Sequence, residues 1–110
     1  MAHPEFQVTT GKDYQFYFSL TAKNSQVIFS SQGYKSKSGC ENGMVSVKKN
    51  SRNDKNFERK DSKDGSYYFV LKAANSKVIG KSQMYTTKES MENGIESVKE
   101  NTRTATINYI

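Results

Sequence analysis

The chain has 110 residues, of which 34% are hydrophobic and 25% charged, and its formal net charge is +6. This length suits a single domain, and the one cysteine, Cys40, excludes an internal disulfide framework and a cysteine-based zinc site. We find no apolar run of membrane-spanning length and no charged start followed by an apolar stretch. We therefore expect a cytoplasmic protein that does not associate with membranes.

The chain contains two copies of one structural unit. The segment Gln15–Ser51 recurs as Ser66–Thr102, 51 residues later, and 19 of the 37 aligned positions are identical. Such self-similarity is the first feature to establish, because missing it leads to the wrong fold. Every element predicted in the first copy is therefore predicted again in the second.

Each copy begins with three predicted strands. They are Glu5–Val8, Gln15–Ala22 and Gln26–Ser31 in the first copy, and Asn56–Lys60, Ser66–Ala73 and Lys77–Ser82 in the second. Phe16, Phe18 and Leu20 alternate along the second strand, which predicts one apolar face. Asn24-Ser25 interrupts that alternation, as Asn75-Ser76 does in the second copy. Because asparagine tolerates a left-handed backbone, each pair predicts a tight hairpin turn.

A helix follows the strands in each copy, over Ser36–Asn50 and Thr87–Asn101. An apolar stripe recurs at i, i+4 and i+7 in both, and consists of Cys40, Met44 and Val47 in the first helix and Met91, Ile95 and Val98 in the second. Ser36 and Thr87 are the expected N-caps. Asn50 and Asn101 are expected to end the helices in a left-handed conformation.

Both predicted helices contain an internal glycine, Gly43 and Gly94. A glycine within a helix costs about 1 kcal/mol relative to alanine. Its presence beside the apolar stripe in both copies predicts close approach of each helix to the sheet. A last strand, Thr104–Tyr109, follows the second helix and matches the strand around Phe57 that follows the first.

These elements predict an α+β fold in which residues 1–110 form one domain. Its parts are a first repeat at 5–51, a second repeat at 56–102 and a final strand within 103–110. A unit of about 50 residues is marginally stable alone. We therefore expect the repeats to share one sheet about a pseudo-two-fold axis, with both helices on one face and the C-terminal strands exchanged between the halves.

The repeated residues resemble the DUF1508 family, also called the UPF0339 or YegP-like family. The matching segments of the second copy are Phe69–Leu71, Asn75–Gly80, Tyr85, Asn93–Ile95 and Ser97–Asn101, and those of the first are Tyr17-Phe18, Asn24–Ile28, Tyr34, Asn42–Met44 and Ser46–Asn50. The resemblance extends from about Phe6 to Ile107. It implies a bacterial protein built from tandem β3-α-β2 motifs that form one antiparallel-rich sheet, and it implies no established activity. The first copy departs from the pattern at Phe29, where the second copy has Gly80, and at Cys40. These departures suggest unequal roles for the two halves.

We find no pattern that predicts catalysis. The one histidine, His3, lies in a terminus expected to fray, and Cys40 lies on the apolar helix stripe, where a buried thiol is expected. The acidic residues are interleaved with lysines or lie on exposed helix faces, which favours neither acid–base chemistry nor a metal site. The glycine spacing does not match a phosphate-binding loop. We expect neither a cofactor nor a bound metal.

A repeated polar set is one candidate binding surface. It lies between the third strand and the helix start and consists of Gln32, Tyr34 and Lys37 in the first copy and Gln83, Tyr85 and Lys88 in the second. A helix N-terminus attracts anions, so this set could bind one. The alternative is structural. Lys37 and Lys88 each lie four residues before a glutamate, a spacing that forms exposed helix pairs, and Tyr34 and Tyr85 could anchor the strand ends.

The sheet face opposite the helices is a second candidate surface, which includes Tyr17, Tyr68 and Lys72. Exposed aromatics with lysines bind single-stranded nucleic acids in some proteins, and they equally form protein interfaces. Only three of the 17 basic residues are arginines, which weakens the nucleic-acid interpretation. We predict a non-enzymatic binding domain whose partner is a protein or a second copy, with single-stranded nucleic acid as the alternative.

Overall fold

The structure, a computed structural model, describes residues 3–110, which form seven strands and two α-helices. The elements are β1 (Glu5–Thr10), β2 (Phe16–Thr21), β3 (Val27–Ser31), α1 (Lys37–Asn50), β4 (Phe57–Asp61), β5 (Tyr67–Lys72), β6 (Val78–Ser82), α2 (Lys88–Asn101) and β7 (Thr106–Tyr109). One turn of 3-10 helix, Asp54–Asn56, precedes β4. Neither helix within residues 3–110 has the length and apolar character needed to cross a membrane.

All seven strands form one sheet in the order β4-β5-β6-β3-β2-β1-β7. Within each repeat the three strands are antiparallel neighbours, and the repeats join through an antiparallel pairing of β3 with β6. At this junction Ser30 pairs with Lys81. These residues occupy equivalent positions in the two copies, so the pseudo-two-fold axis passes through this pair. The predicted α+β fold with a shared, mostly antiparallel sheet is confirmed.

The final strand joins the opposite half of the molecule. β7 follows the helix of the second repeat but pairs with β1 of the first, with Phe6 beside Ile107 and Val8 beside Tyr109. This crossing is the strand exchange that the sequence predicts. The pairing is parallel, whereas β4, the strand after α1, pairs antiparallel with β5. The pseudo-two-fold symmetry therefore holds for six strands and ends at β7.

The hydrophobic core lies between the helices and one sheet face. Both predicted helix stripes are buried, together with the phenylalanines of the strands. Phe6 packs edge-on against Phe18, and Phe57 packs edge-on against Phe69, each pair with ring centroids 5.6 Å apart. A bulge between Leu20 and Thr21 disturbs the alternation, so that neighbouring residues of β3 are both buried. Aromatic side chains thus supply much of the core in a chain whose hydrophobic content is only 34%.

Phe29 and Gly80 hold equivalent positions but differ greatly in size because they meet near the pseudo-two-fold axis. Phe29 is 1% exposed. A Cβ added to Gly80 would lie closest to the backbone carbonyl oxygen of Ser30, on the paired strand, and 2.8 Å from two atoms of the Phe29 ring. One large side chain therefore fills the centre of the core, and its counterpart must be small. The departure noted in the sequence has a packing cause.

The helix starts agree with prediction, but the helix ends do not. The side chains of Ser36 and Thr87 accept hydrogen bonds from the backbone amides three residues later, at 3.0 Å. The prediction that Asn50 and Asn101 adopt a left-handed conformation was wrong, since both remain helical. The Asn50 side-chain amide instead donates to the carbonyl oxygen of Ser46 at 2.9 Å. This bond ties the side chain to its own helix, and the backbone stays right-handed through Ser51, whose amide donates to the carbonyl oxygen of Val47.

The hairpin turns form where predicted, although the left-handed residue differs. Ser25 and Ser76 carry the positive φ values, 68° and 67°, while the preceding asparagines accept hydrogen bonds from the amides of Gln26 and Lys77. Serine adopts the strained backbone because the asparagine side chain is used to close the turn. His3, in the terminus that the sequence predicts to fray, donates from its ring Nε2 to the carbonyl oxygen of Thr104 at 2.7 Å.

Candidate binding grooves between the repeats

Two residues of the predicted polar set lie beneath the helices. Tyr34 stacks on Phe18 with ring centroids 6.0 Å apart, and Tyr85 stacks on Phe69 at 6.4 Å. Each tyrosine packs against the internal glycine of its helix, where an added Cβ would lie 2.6 Å from the ring carbon that bears the hydroxyl. The glycines thus allow close approach, as expected, but to a tyrosine. Burial raises the pKa of both tyrosine hydroxyls above the ordinary value.

The two lysines of that set do not form the expected helix pairs. Lys37 Nζ lies 4.4 Å from the centroid of the Tyr109 ring, and Lys88 Nζ lies 5.8 Å from that of Tyr67. Among residues 3–110 neither lysine makes an ion pair with the glutamate four positions on. The pair prediction was wrong because the aromatic rings of neighbouring strands compete for these cations.

The open sheet face does not present a free aromatic surface. The Tyr17 hydroxyl donates to Asp13 Oδ2 at 2.5 Å, which lowers the pKa of that carboxyl. Lys72 forms an ion pair with Glu58, which also binds Lys60. Tyr68 is half-buried. Tyr17 and Lys72 are therefore held by their own neighbours, and all three members of this predicted set lie on the opposite side of the sheet from Tyr34 and Tyr85.

The structure brings a different set of polar groups together, in a groove between α1 and the β5–β6 hairpin. We call this the first groove. It consists of two adjoining cavities of about 400 and 330 Å³, which share Asn42, Ser46, Ala73 and Asn75. Gln32 and Tyr34 line one end, and Lys49 lies at the other. The helix of one repeat and the hairpin of the other therefore form the groove jointly.

A related groove lies between α2 and the β2–β3 hairpin. We call it the second groove. Its cavity of about 290 Å³ is lined by Ala22, Lys23, Asn24, Ser97, Glu100 and Asn101. Each of these residues lies 51 positions from one that lines the first groove. The two grooves are thus related by the pseudo-two-fold axis, and differences between them can be compared position by position.

The grooves differ most in charge. In the second groove Lys23 Nζ lies 3.7 Å from Glu100 Oε1, so the hairpin and the helix neutralise each other. The equivalent residues of the first groove are Ala74 and Lys49. The described residues that line the first groove include Lys49 and Lys77 but no aspartate or glutamate. The first groove is therefore electropositive.

The sequence contained part of the signal for these grooves. Asn42, Ser46 and Asn75 recur as Asn93, Ser97 and Asn24, but the sequence predicts a role only for Asn24 and Asn75, in the hairpin turns. Their assembly depends on the strand order, which places the hairpin of one repeat beside the helix of the other. Of the predicted site residues, Gln32 and Tyr34 line the first groove, while Lys37 lies elsewhere.

The chain matches the family model described as "Domain of unknown function (DUF1508)" twice, over residues 12–58 and 62–108. These two matches span most of the chain. The protein belongs to the DUF1508 family. Each match includes the second and third strands of a repeat, its helix and the start of the strand that follows.

DUF1508 proteins similar to this chain occur in several bacteria. The chain is 44% identical over 110 residues to UPF0339 protein MS1092 of Mannheimia succiniciproducens, covering 100% of this chain and 97% of the relative. It is 44% identical over 102 residues to UPF0339 protein YegP of Escherichia coli K12, covering 93% of each. It is also 47% identical over 102 residues to UPF0339 protein ACIAD0721 of Acinetobacter baylyi, covering 93% of this chain and 92% of the relative.

Two solved DUF1508 structures share the fold. The solution NMR structure of yegP from E. coli, described as a protein of unknown function, superimposes with a TM-score of 0.92 at 41% identity, covering 99% of this chain and 94% of that one. The solution NMR structure of UPF0339 protein SO3888 from Shewanella oneidensis gives a TM-score of 0.91 at 40% identity, covering 96% and 90%. Both relatives therefore share the fold of almost the whole chain and not of one repeat alone.

Proposed function

We propose that this DUF1508 protein is a non-enzymatic binding domain that acts through the first groove. The observation that carries the proposal is the groove itself, where amide, hydroxyl and ammonium groups from both repeats converge on one open surface. Sites with a few convergent polar groups are the usual places where ligands bind. Because the groove needs both repeats, it also gives the duplication a functional purpose.

The state of the reactive side chains supports binding over catalysis. Cys40 is fully buried, and burial, aided by the charge of Glu41, raises the pKa of its thiol, which disfavours the nucleophilic thiolate. Hydrogen bonds from Arg59 and then Lys99 hold the pKa of Asp54 at about 2. Within residues 3–110 no three His, Cys, Asp or Glu side chains form a cluster that could hold a metal ion. The strongly acidic groups are thus stabilised as ions in pairs away from the groove.

Chemical-shift mapping tests this proposal. We expect a screen of polar metabolites and short peptides against the ¹⁵N-labelled protein to perturb amides of α1 and the β5–β6 hairpin. Filling the groove with Asn42→Trp should abolish those shifts. Asn93→Trp, at the equivalent exposed position of α2, is the matched control and should preserve them. Shifts that map to another surface, or turnover that a single substitution abolishes, would contradict the proposal.

Binding of single-stranded nucleic acid through the open sheet face stays a prediction of the sequence that no contact in the structure favours. Fluorescence anisotropy with oligonucleotides at two salt concentrations would test it, since phosphate contacts give a steep salt dependence. The cytoplasmic location also stays a prediction.

A further inference from the structure

The second groove shows what an acidic group does at this position of the fold. The carboxylate of Glu100 projects from α2 toward the ammonium group of Lys23 on the facing hairpin. In the first groove the helix position holds Lys49 and the hairpin position holds Ala74. The first groove has therefore lost both partners of the internal ion pair and gained a cation on the helix side.

The hairpin of the first groove adds a second cation. Lys77 lines this groove, while the equivalent residue of the first repeat is Gln26. Neither Lys49 nor Lys77 forms an ion pair with any residue in the described part of the chain. Two cations facing one groove without a counter-charge favour a ligand that brings carboxylates.

Neutral donors lie between the two lysines. Asn75 Oδ1 accepts a hydrogen bond from the backbone amide of Lys77 at 3.1 Å. The Nδ2 group of the same side chain remains to donate to a ligand. Asn42 is exposed on the facing side of α1. Side-chain amides both donate and accept, so these two residues suit the carbonyl and amide groups of a peptide backbone.

The shape of the groove indicates an extended ligand. Its helix side runs from Gly39 to Asn50, and at 1.5 Å per residue this gives a length of about 17 Å. An extended peptide advances about 3.3 Å per residue, so about five residues would fill that length. A small metabolite usually binds in a more enclosed site that removes most of its surface from water.

We propose that the first groove binds an acidic peptide segment of a partner protein, with acidic side chains placed against Lys49 and Lys77 and the backbone placed against Asn42 and Asn75. The inference rests on the proposed function and names the ligand class. The second groove does not bind such a segment, because Glu100 repels it and already occupies the facing lysine.

The test measures binding of a fluorescein-labelled eight-residue peptide of alternating glutamate and alanine by anisotropy. We expect saturable binding of one peptide per chain that weakens with salt. The double variant Lys49→Glu/Lys77→Glu should weaken binding at least tenfold. Lys55→Glu/Lys63→Glu, which makes the same change of net charge at exposed residues outside the groove, should keep nearly the original affinity. Thermal melts check that both variants fold.

A gain-of-function variant provides the second arm. Lys23→Ala/Gln26→Lys/Glu96→Val/Glu100→Lys gives the second groove the charge pattern of the first, since Glu96 stands at the position equivalent to Val45, and we expect the stoichiometry to rise from one peptide to two. The proposal is overturned if the peptide with glutamine in place of glutamate binds equally well, if free glutamate competes at equal concentration, or if the charge-reversed groove binds unchanged. Should other ligands still shift groove amides in the NMR screen, the peptide inference fails while the binding function stands. If no ligand shifts them, both fail.

Discussion

Phe29 and Gly80 show at the scale of single residues how a duplicated sequence fills one centre. The benzyl group of Phe29 occupies space beside the pseudo-two-fold axis that a side chain at position 80 would otherwise claim. Two phenylalanines would overfill the space, and two glycines would leave a cavity. Because interiors are close-packed, this asymmetric pair is a stable solution for a nearly symmetric core.

Substitutions at this pair test the packing argument. Gly80→Ala should destabilise the fold by about 1–3 kcal/mol, because the new methyl group would overlap both the backbone carbonyl oxygen of Ser30 and the Phe29 ring. Phe29→Ala should cost about 3–5 kcal/mol by leaving a cavity. The double variant should cost somewhat less than the sum, since removal of the ring relieves the contact with Phe29 while the contact with the Ser30 carbonyl oxygen remains. Denaturant unfolding of the three variants measures this coupling, and strictly additive costs would contradict the argument.

Individual residues also show where sequence reasoning works and where it stops. The spacing of Met91, Ile95 and Val98 suffices to identify a buried helix stripe, since periodicity is a local property. Asn50 is of a residue type that often adopts a left-handed conformation at a helix end, yet it stays helical and its side-chain amide donates to the carbonyl oxygen of Ser46. The residue type alone does not decide between these two local arrangements. Lys49 and Lys77 belong to one groove only because the sheet order unites different repeats.

At the scale of elements, the two sheet edges are unlike. β4 carries Glu58, Arg59, Lys60 and Asp61 at one edge, and such charges discourage pairing with other chains. β7 forms the other edge with no charged side chain, and all four of its residues are exposed. β7 stabilises the molecule through its backbone pairing with β1, and it thereby covers the sheet edge of the first repeat.

Removal of β7 therefore tests the importance of strand exchange. Deletion of residues 103–110 should lower Tm by roughly 10 °C or more, because each lost ladder hydrogen bond costs about 1 kcal/mol and each kcal/mol shifts Tm by about 4–8 °C in a small domain. If truncation prevents folding, Asn108→Pro keeps the chain length. The backbone amides of Thr106 and Ile110 donate to the carbonyl oxygens of Pro4 and Val8. A proline at position 108, between these two bonds, should therefore also lower Tm. An unchanged melting temperature in both variants would contradict a stabilising exchange.

At the scale of the whole molecule, surface ion pairs concentrate around the second repeat. Arg59 binds Asp54 and Glu92, and Lys99 binds Asp54 as well. Glu58 is held by Lys72 and then Lys60, which lowers the pKa of its carboxyl to about 2. These groups are substantially exposed, so each pair contributes little by itself. Their shared dependence on ionised carboxylates is nevertheless a property that a titration can detect.

This network predicts acid sensitivity. A carboxyl whose pKa is lowered by folding stabilises the protein above its ordinary pKa, and the contribution is lost as pH falls through the folded value. Tm should therefore decline from about pH 4.5, the ordinary pKa of glutamate, towards pH 2, where Glu58 and Asp54 become protonated. Arg59→Gln should reduce the decline, because Asp54 loses its largest stabilising bond.

The matched control for the acid titration is Arg52→Gln, which removes an exposed arginine that makes no ion pair within residues 3–110. Thermal melts between pH 7 and pH 2 should show the same decline for this variant as for the unmodified protein. Equal slopes for both arginine variants and the unmodified protein would show that the Arg59 network does not govern acid stability.

The relation between the two grooves has a consequence for how the molecule can change over evolutionary time. In a homodimer of single repeats, every substitution would appear in both grooves at once. Covalent joining of the repeats removes that constraint, so a lysine at position 49 can coexist with a glutamate at position 100. One groove can then retain an internal ion pair while its counterpart acquires a specificity of its own, and selection can act on each without altering the shared sheet.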